Sequence, residues 1–590
     1  MLYLIPYFIY AMTLLYVYGM LPFIFFKQNI PQNPFVVFVV GFAVLGFMSL
    51  LFWVGGPVNY FCFWVMVFGA LVALVLNREY YKSALFYLIR WFRQQAYLEK
   101  IAIGLLLIPI LYQSAQAPKI NDMGMYYLQT MQWMHNYGLV PGLANLHPAL
   151  GLGSAWHNLV VLLDPFSIGL NHYWQLNGVL LFVFILFCWF EMKQNSAIYL
   201  RIVFILSLPV SFLYLTAPSP DLPVILLSGI LFYTVWFVTG KIHWFTLLLL
   251  CVFIFACKPP AFLAVLMAFV VFISVKSAKK RILFIFFGVI LCSVILYKNY
   301  VLSGYLLYPY SKPDVIDVSW KVPADWNAAY TKGIVSWGLR DKLDLGDKWE
   351  MRNGIWEMGN EKWDAEGKWV QASNKYDNRL WIWLKRGGYK GFMNKLIFLN
   401  FLFGLGNLLM GLWHKKVFSK DYLVLMALLF IEVIEWLMLS QYRLMLPSCL
   451  VLTGFNFYLI ANLFTNENTW LSRVRLSFKS LVIYSCVLFY GMAFIPFSIF
   501  AKESRNKTIT RLDGFNNMYL VEPYEGFIGE KTDSILSDSI YIHFYPNQTY
   551  CWDCVIPCVS ISHRNYLFNN FGYRLKPLGI RVTDGFRLGK

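Results

Sequence analysis

Four residues of this chain have types that could do chemistry together: Asp122, Asp221, Lys258 and Arg443. Carboxylates take protons or bind cations, and lysine and arginine hold phosphate oxygens. Each stands beside an apolar run, where an ionisable side chain is costly and marks a candidate functional site. Asp122 opens "NDMGMYYLQTMQWMHNYGLVPGLANLH". Met125, Leu128, Met131, Gln132 and Met134 follow it at a spacing that predicts an amphipathic helix along the membrane surface. The Asp122 carboxylate suits a general base or a ligand for a divalent ion; the bland alternative is a helix cap. Asp221, in "PSPDLP", immediately precedes an apolar run and is open to the same two readings. Lys258, in "CKPP", is either a snorkelling lysine or a cation for a lipid phosphate. Arg443, after Gln441 and Tyr442, is either an interfacial anchor or a bidentate phosphate ligand. Glu432 and Glu435 share one helix face, and Arg443 is their expected ionic partner. His135, His147, His157 and His172 lack a metal-ligand spacing.

The elements that must position these residues are membrane helices. Of 590 residues, 59% are hydrophobic, 19% aromatic and only 14% charged, whereas a soluble domain carries roughly 25% charged residues. Many apolar runs reach the length of about 20 residues that crosses a bilayer. The expected fold is an α-helical polytopic membrane protein of about fourteen spans. They lie near 3–25, 34–54, 60–77, 100–114, 176–190, 198–215, 222–239, 244–257, 260–275, 282–300, 395–413, 421–439, 445–463 and 480–500. The N-terminus lacks a basic region and a small-residue cleavage site, so its first apolar run is expected to be a retained span. The net charge of +18 reflects basic loops that set topology, and no nucleic-acid partner is expected. Those loops hold Arg78 to Arg93, Lys193 and Arg201, Lys276 to Arg281, Lys415 to Lys420, and Arg473 to Lys479. They fall on one side only if 244–275 is a hairpin of two short helices that turns at "CKPP". Asp122, Asp221, Lys258 and Arg443 then share the opposite, extracytoplasmic face.

That face also receives two long segments. Residues 301–394 include nine tryptophans between Trp320 and Trp383, interleaved with charges. Tryptophan rings anchor at interfaces and also stack on sugars. The tail 501–590 is charged, has short β-like runs and is expected to form a small α/β domain. Its "CWDCVIPC" makes Cys551, Cys554 and Cys558 disulfide candidates on an oxidising side, with the pairing open. Three regions follow: extra helices over 1–99, a core over 100–500 with loops 115–175 and 301–394, and the tail.

The order of these motifs resembles the GT-C superfamily of membrane glycosyltransferases. The resemblance rests on "INDMGMYYL", "SPDLP", the hairpin lysine and "KNYVLSGYLLYP" (Lys298 to Pro309), and covers roughly residues 100–450. Asn299, Gly304, Tyr308 and Pro309 look like the segment by which such enzymes leave a span. The resemblance implies that Asp122 is the catalytic base and that Arg443 contacts the donor phosphate. It places Asp221, Lys258, His147 and Tyr308 among substrate-binding candidates. Two departures stand out: three spans precede the usual first one, and the first loop has no paired-acid motif. A divalent metal (Mg or Mn) therefore stays open as a cofactor. The chain is also similar to bacterial polytopic membrane proteins with the pattern "W…YGLVPGLANLH".

The resulting expectation is a glycosyltransferase in the lipid bilayer of a bacterial inner (plasma) membrane, with its active site facing the periplasm. It would move a sugar from a polyprenyl-phosphate donor to a glycan, lipid or protein acceptor held by the tryptophans. Two alternatives are a glycan polymerase or ligase with a polyprenyl-pyrophosphate donor, drawing on Arg340, Arg352, Arg379 and Arg386, and a lipid-linked glycan transporter or flippase. The absence of an internal repeat argues against the latter.

Overall fold

The computed structural model describes residues 4–464 except 30, 116–119, 121, 165–174, 195–197, 239–241, 340–348, 353–354, 359–378 and 415–417. Beyond 464 it describes short segments of the tail, chiefly 532–537, 540–544, 556–558 and 571–589. The elements are α1 (Leu4–Phe25), α2 (Phe35–Gly55), α3 (Tyr60–Leu76), α4 (Arg78–Gln94), α5 (Tyr97–Ser114), α6 (Leu128–Asn136), α7 (Ala155–Leu162), α8 (Leu176–Gln194), α9 (Ile198–Leu213), α10 (Asp221–Phe237), α11 (Trp244–Cys257), α12 (Phe262–Ser274), α13 (Ala278–Ser303), α14 (Ala324–Leu339), β1 (Trp349–Arg352), β2 (Ile355–Met358), α15 (Arg379–Lys385), α16 (Gly388–Trp413), α17 (Lys420–Leu439), α18 (Tyr442–Phe464), β3 (Thr532–Ser537), β4 (Ile540–Phe544), β5 (Arg574–Pro577) and β6 (Phe586–Gly589).

Among the described residues nine helices are long and apolar enough to cross a membrane, or ten if α3 and α4 count as one bent span. This is the pattern of a polytopic helical membrane protein. Each expected span up to 445–463 coincides with a helix; the last, 480–500, lies largely outside the described residues. α10 is apolar on every side and nearly all of it is buried, as expected for a central helix. α13 and α16 instead expose Ile282, Phe286, Val289, Leu399 and Leu409, an apolar surface suited to lipid. α1 and α2 pack closely through glycine. A Cβ on Gly19 would lie 1.9 Å from the Val37 carbonyl oxygen, and one on Gly41 2.0 Å from that of Leu15.

The helices have two distinct ends. At one, Tyr80 and Tyr87 of α4 donate to the carbonyls of Gln28 and Gln32 in the α1–α2 connection, at 2.6 and 2.7 Å. There too, Lys193 at the end of α8 pairs with Glu99 of α5 at 2.7 Å, and Phe26 stacks on His243. At the other end, Val58 N–H donates to Met134 O and Gly142 N–H to Val301 O. The basic loops 78–93, 193 and 276–281 therefore gather away from residues 122–163, as the charge pattern implied.

Two expectations are corrected. The helix after Asp122 does not lie along a surface. Met123 to Tyr127 form a π-helical turn, α6 continues it, and Met123, Tyr127, Leu128, Met131, Trp133 and Met134 are all buried. Its polar residues Gln129 and Thr130 are buried too. The surface amphipathic helix is α4, read in the sequence only as a basic loop; it turns 94° from α3.

Residues 301–394 contain α14, the β1–β2 hairpin and α15. The described tail consists of the antiparallel hairpins β3–β4 and β5–β6. The second hairpin docks on the loop after α6: Phe586 N–H donates to Pro141 O, and Asn145 Nδ2 donates to Phe586 O at 3.0 Å. Gly142 permits this approach, since a Cβ there would sit 2.0 Å from Phe586 O. Cys558 is disulfide-bonded, while Cys551 and Cys554 lie outside the described residues.

Candidate functional site

Four charged side chains distant in sequence meet where α10, the α11–α12 hairpin, the π-turn and α18 converge. Asp122 precedes the π-turn at its N-cap position, yet its side chain caps nothing. Its Oδ2 instead accepts from Arg443 Nη1 at 2.7 Å, across 321 positions of chain. Asp221 opens α10, and Lys258 Nζ donates to its Oδ1. A hydroxyl chain joins the two pairs. Tyr127 Oη lies 3.4 Å from both Asp122 Oδ2 and Ser219 Oγ, and Ser219 Oγ donates to Asp221 Oδ2 at 3.2 Å. The order is Arg443, Asp122, Tyr127, Ser219, Asp221, Lys258. Both carboxylates thus turn to cations instead of capping helices.

The local sequence explains the placement. The 14 residues of α11 span roughly 21 Å, short of the roughly 30 Å hydrocarbon core. The two prolines after Lys258 end the helix there, and the chain turns back into α12. Arg443 follows a tight turn in which Ser440 takes a left-handed conformation, with φ 51°. That turn is pinned from three directions. Trp383 Nε1 donates to Ser440 O at 2.9 Å, Gln441 Nε2 donates to Ile334 O at 2.6 Å, and a Cβ on Gly338 of α14 would lie 2.2 Å from Ser440 O. Gln441 Oε1 accepts from Arg443 Nε at 3.3 Å. Asn177 of α8 holds the loop before Asp221 by donating to the carbonyls of Tyr214, Ala217 and Ser219.

The electrostatics are those of a nearly dry cluster. The Asp221 side chain is 2% exposed, Asp122 14%, Lys258 18% and Arg443 29%, so access is from the Arg443 side. Burial pulls the Lys258 ammonium below its usual range, against the upward pull of Asp221. Burial raises the phenols of Tyr126, Tyr127 and Tyr330, and the Asp122 charge adds to the rise. Tyr330 reaches the cluster from α14 and stacks on Tyr308 at 6.4 Å. His157 of α7 lies 4.7 Å from the Tyr127 ring and hydrogen-bonds the Pro218 backbone. Burial lowers its pKa to about 3, so it is neutral and a poor base.

The remaining candidates fall elsewhere. His147 caps a short 3-10 turn by accepting from Ala149 N–H at 3.3 Å, and burial lowers its pKa to about 4. Tyr308 donates to Pro148 O at 2.9 Å and reaches the cluster only through Tyr330. Asn299 Nδ2 donates to Leu306 O, folding the 298–309 segment back on itself. Arg443 is not the partner of Glu432 and Glu435, because Asp122 takes it; Glu435 accepts from Ser448 Oγ instead. Trp326 and Trp383 are buried against Phe571 and Trp436, Trp320 is half-buried against Tyr300, and Trp381 is exposed. Trp363, Trp369 and His172 lie outside the described residues, as do the side chains of Trp337, Trp349 and Trp356. Among the described residues no three His, Cys, Asp or Glu converge as metal ligands. Asp122 and Asp221, the carboxylates nearest a Mg or Mn role, are each already paired with a cation, so the set does not fit a metal.

Residues 1–346 match a family described as "Domain of unknown function (DUF8201)". The chain belongs to this DUF8201 family. No curated protein and no solved structure matches it. The family match spans Asp122, Tyr127, Ser219, Asp221 and Lys258, whereas Arg443 comes from beyond it. Within the cluster, Tyr127 and Ser219 carried no signal in the sequence beyond lying near the acids, Tyr330 carried none, and His157 stood out only as one of four loop histidines.

Proposed function

We propose that the cluster is the active site of a glycosyltransferase that takes its sugar from a polyprenyl-phosphate donor at the face opposite the basic loops. The observation that carries this reading is the continuous chain from Arg443 through Asp122, Tyr127, Ser219 and Asp221 to Lys258. Two cations in a nearly dry setting suit a leaving phosphate, since charge developing there is met by groups already in place. Arginine engages phosphate oxygens with two parallel donors. On donor binding, Arg443 exchanges the Asp122 carboxylate for phosphate oxygens. Asp122, released, accepts the proton of an acceptor hydroxyl. The acceptor oxygen bonds to the anomeric carbon and the bond from that carbon to the phosphate oxygen breaks. Its electron pair leaves on the polyprenyl phosphate, beside Arg443 and Lys258. The apolar flanks of α13 and α16 suit lateral entry of a polyprenyl chain from the bilayer. The pyrophosphate alternative finds less support, because Arg386 is buried and donates to Gly338 O.

The test is sugar transfer by the purified, reconstituted protein from a labelled polyprenyl-phosphate sugar. Native protein and Asp122→Glu should transfer, and Asp122→Asn should transfer at least about 100-fold more slowly. Full transfer by folded Asp122→Asn removes the assigned base. Flux of lipid-linked glycan across vesicles without transfer assigns the cluster to a transporter.

A further inference from the structure

Among the described residues, α4 is unlike every other helix at the basic end. It follows the apolar α3 through a 94° bend, so it lies in the membrane plane if α3 crosses the membrane. Its 17 residues carry Arg78, Lys82, Arg90 and Arg93 against Glu79 alone, a net charge of +3. Around the helix three strips follow one another. The first is packed on the protein: Tyr81 and Ala84 are buried, Tyr81 donates to Val17 O at 2.8 Å, and the Trp91 ring meets Phe35 edge-on at 4.9 Å. The second is Leu85, Ile89 and Phe92, at spacings of four and three residues, apolar and exposed. The third is the basic strip, with exposed Phe86 among it. Tyr80 and Tyr87 tie the helix to the α1–α2 connection, fixing which strip faces out.

An exposed apolar strip beside a basic one, on a helix lying across the end of membrane spans, matches one environment: the boundary between acyl chains and anionic headgroups. We infer that α4 is a docking surface for anionic phospholipid, with Leu85, Ile89 and Phe92 in the acyl region and Arg78, Lys82, Arg90 and Arg93 on headgroup phosphates. The charge complementarity chooses this occupant over a neutral lipid or a second copy of the chain, whose own +3 strip would repel. The inference does not depend on the glycosyltransferase reading, since α4 sits at the end of the molecule opposite Asp122.

Hydrogen exchange of the full-length protein in vesicles tests it. The α4 amides of the native protein should exchange at least tenfold more slowly in phosphatidylglycerol-containing vesicles than in pure phosphatidylcholine, given the attraction of each basic residue to an anionic surface. Raised salt should remove the difference. R78Q/K82Q/R90Q/R93Q should lose it while the α1 and α2 amides keep native protection, and R90Q alone should lose part of it. Equal exchange of the native α4 in both lipids overturns the inference, as does protection that survives in the folded quadruple variant. Dimers with α4 already protected in pure phosphatidylcholine would overturn it in favour of a second copy.

Discussion

Arg443 and Arg90 are the same residue type at opposite ends of one molecule, and the contrast between them shows how context decides what a charge does. Arg443 is held against Asp122 beside the Asp221–Lys258 pair, on a turn pinned to α14. Arg90 stands exposed on a helix lying across the end of the bundle. A charge taken from water needs a partner, and removing that partner leaves an uncompensated buried ion. A charge left in water needs none and is worth little to the fold. The buried end is therefore expensive to disturb and suited to chemistry on a small charged group, whereas the exposed end tolerates change and suits a diffuse anionic surface.

The contrast can be broken by substitution. The largest expected effect is on transfer: Asp122→Asn should lower the rate by about 10²- to 10⁴-fold, the usual contribution of a general base, with labelled-sugar transfer as the assay. Next comes stability. Lys258→Met strands the Asp221 carboxylate and should cost about 3–5 kcal/mol by chemical unfolding in micelles. The double variant Lys258→Met, Asp221→Asn should recover most of this; a double variant as unstable as the single one would mean that the pair is not the unit.

Acid should strike the same end. His147, with its folded pKa near 4, is neutral in the folded protein, while the unfolded chain takes up a proton near pH 6.5. Stability from this group is full above about pH 6.5 and falls as pH drops toward 4, because the unfolded state binds more protons. His147→Asn should flatten that part of a Tm-against-pH curve, and an unchanged slope would refute the assignment. The smallest effect belongs to the basic end, where Arg90→Gln should shift unfolding by under about 0.5 kcal/mol.

Much of this was legible from residue types. Asp122, Asp221, Lys258 and Arg443 stand out because ionisable groups next to apolar runs are rare and costly. The sidedness of the basic loops correctly anticipated a short hairpin at 244–275, since only an extra reversal keeps the charges together. Pairing was not legible. Arg443 lies within a dozen residues of Glu432 and Glu435 in sequence and 321 positions from Asp122, yet it bonds Asp122. Amphipathicity misled in the same way. Gln129 and Thr130 of α6 are buried among the helices, while α4 has the exposed amphipathic face that the sequence pattern assigned to α6.

By itself the sequence determined the class of the molecule, the approximate helices and the sides on which charges gather. Those follow from local quantities: the length of an apolar run, the position of a proline, the sign of a loop. Only the tertiary structure decided which acid meets which base, because that depends on how α10, the hairpin tip and α18 converge across hundreds of residues. A helix end can carry a charge anywhere, but a buried charge persists only where another part of the chain brings its opposite.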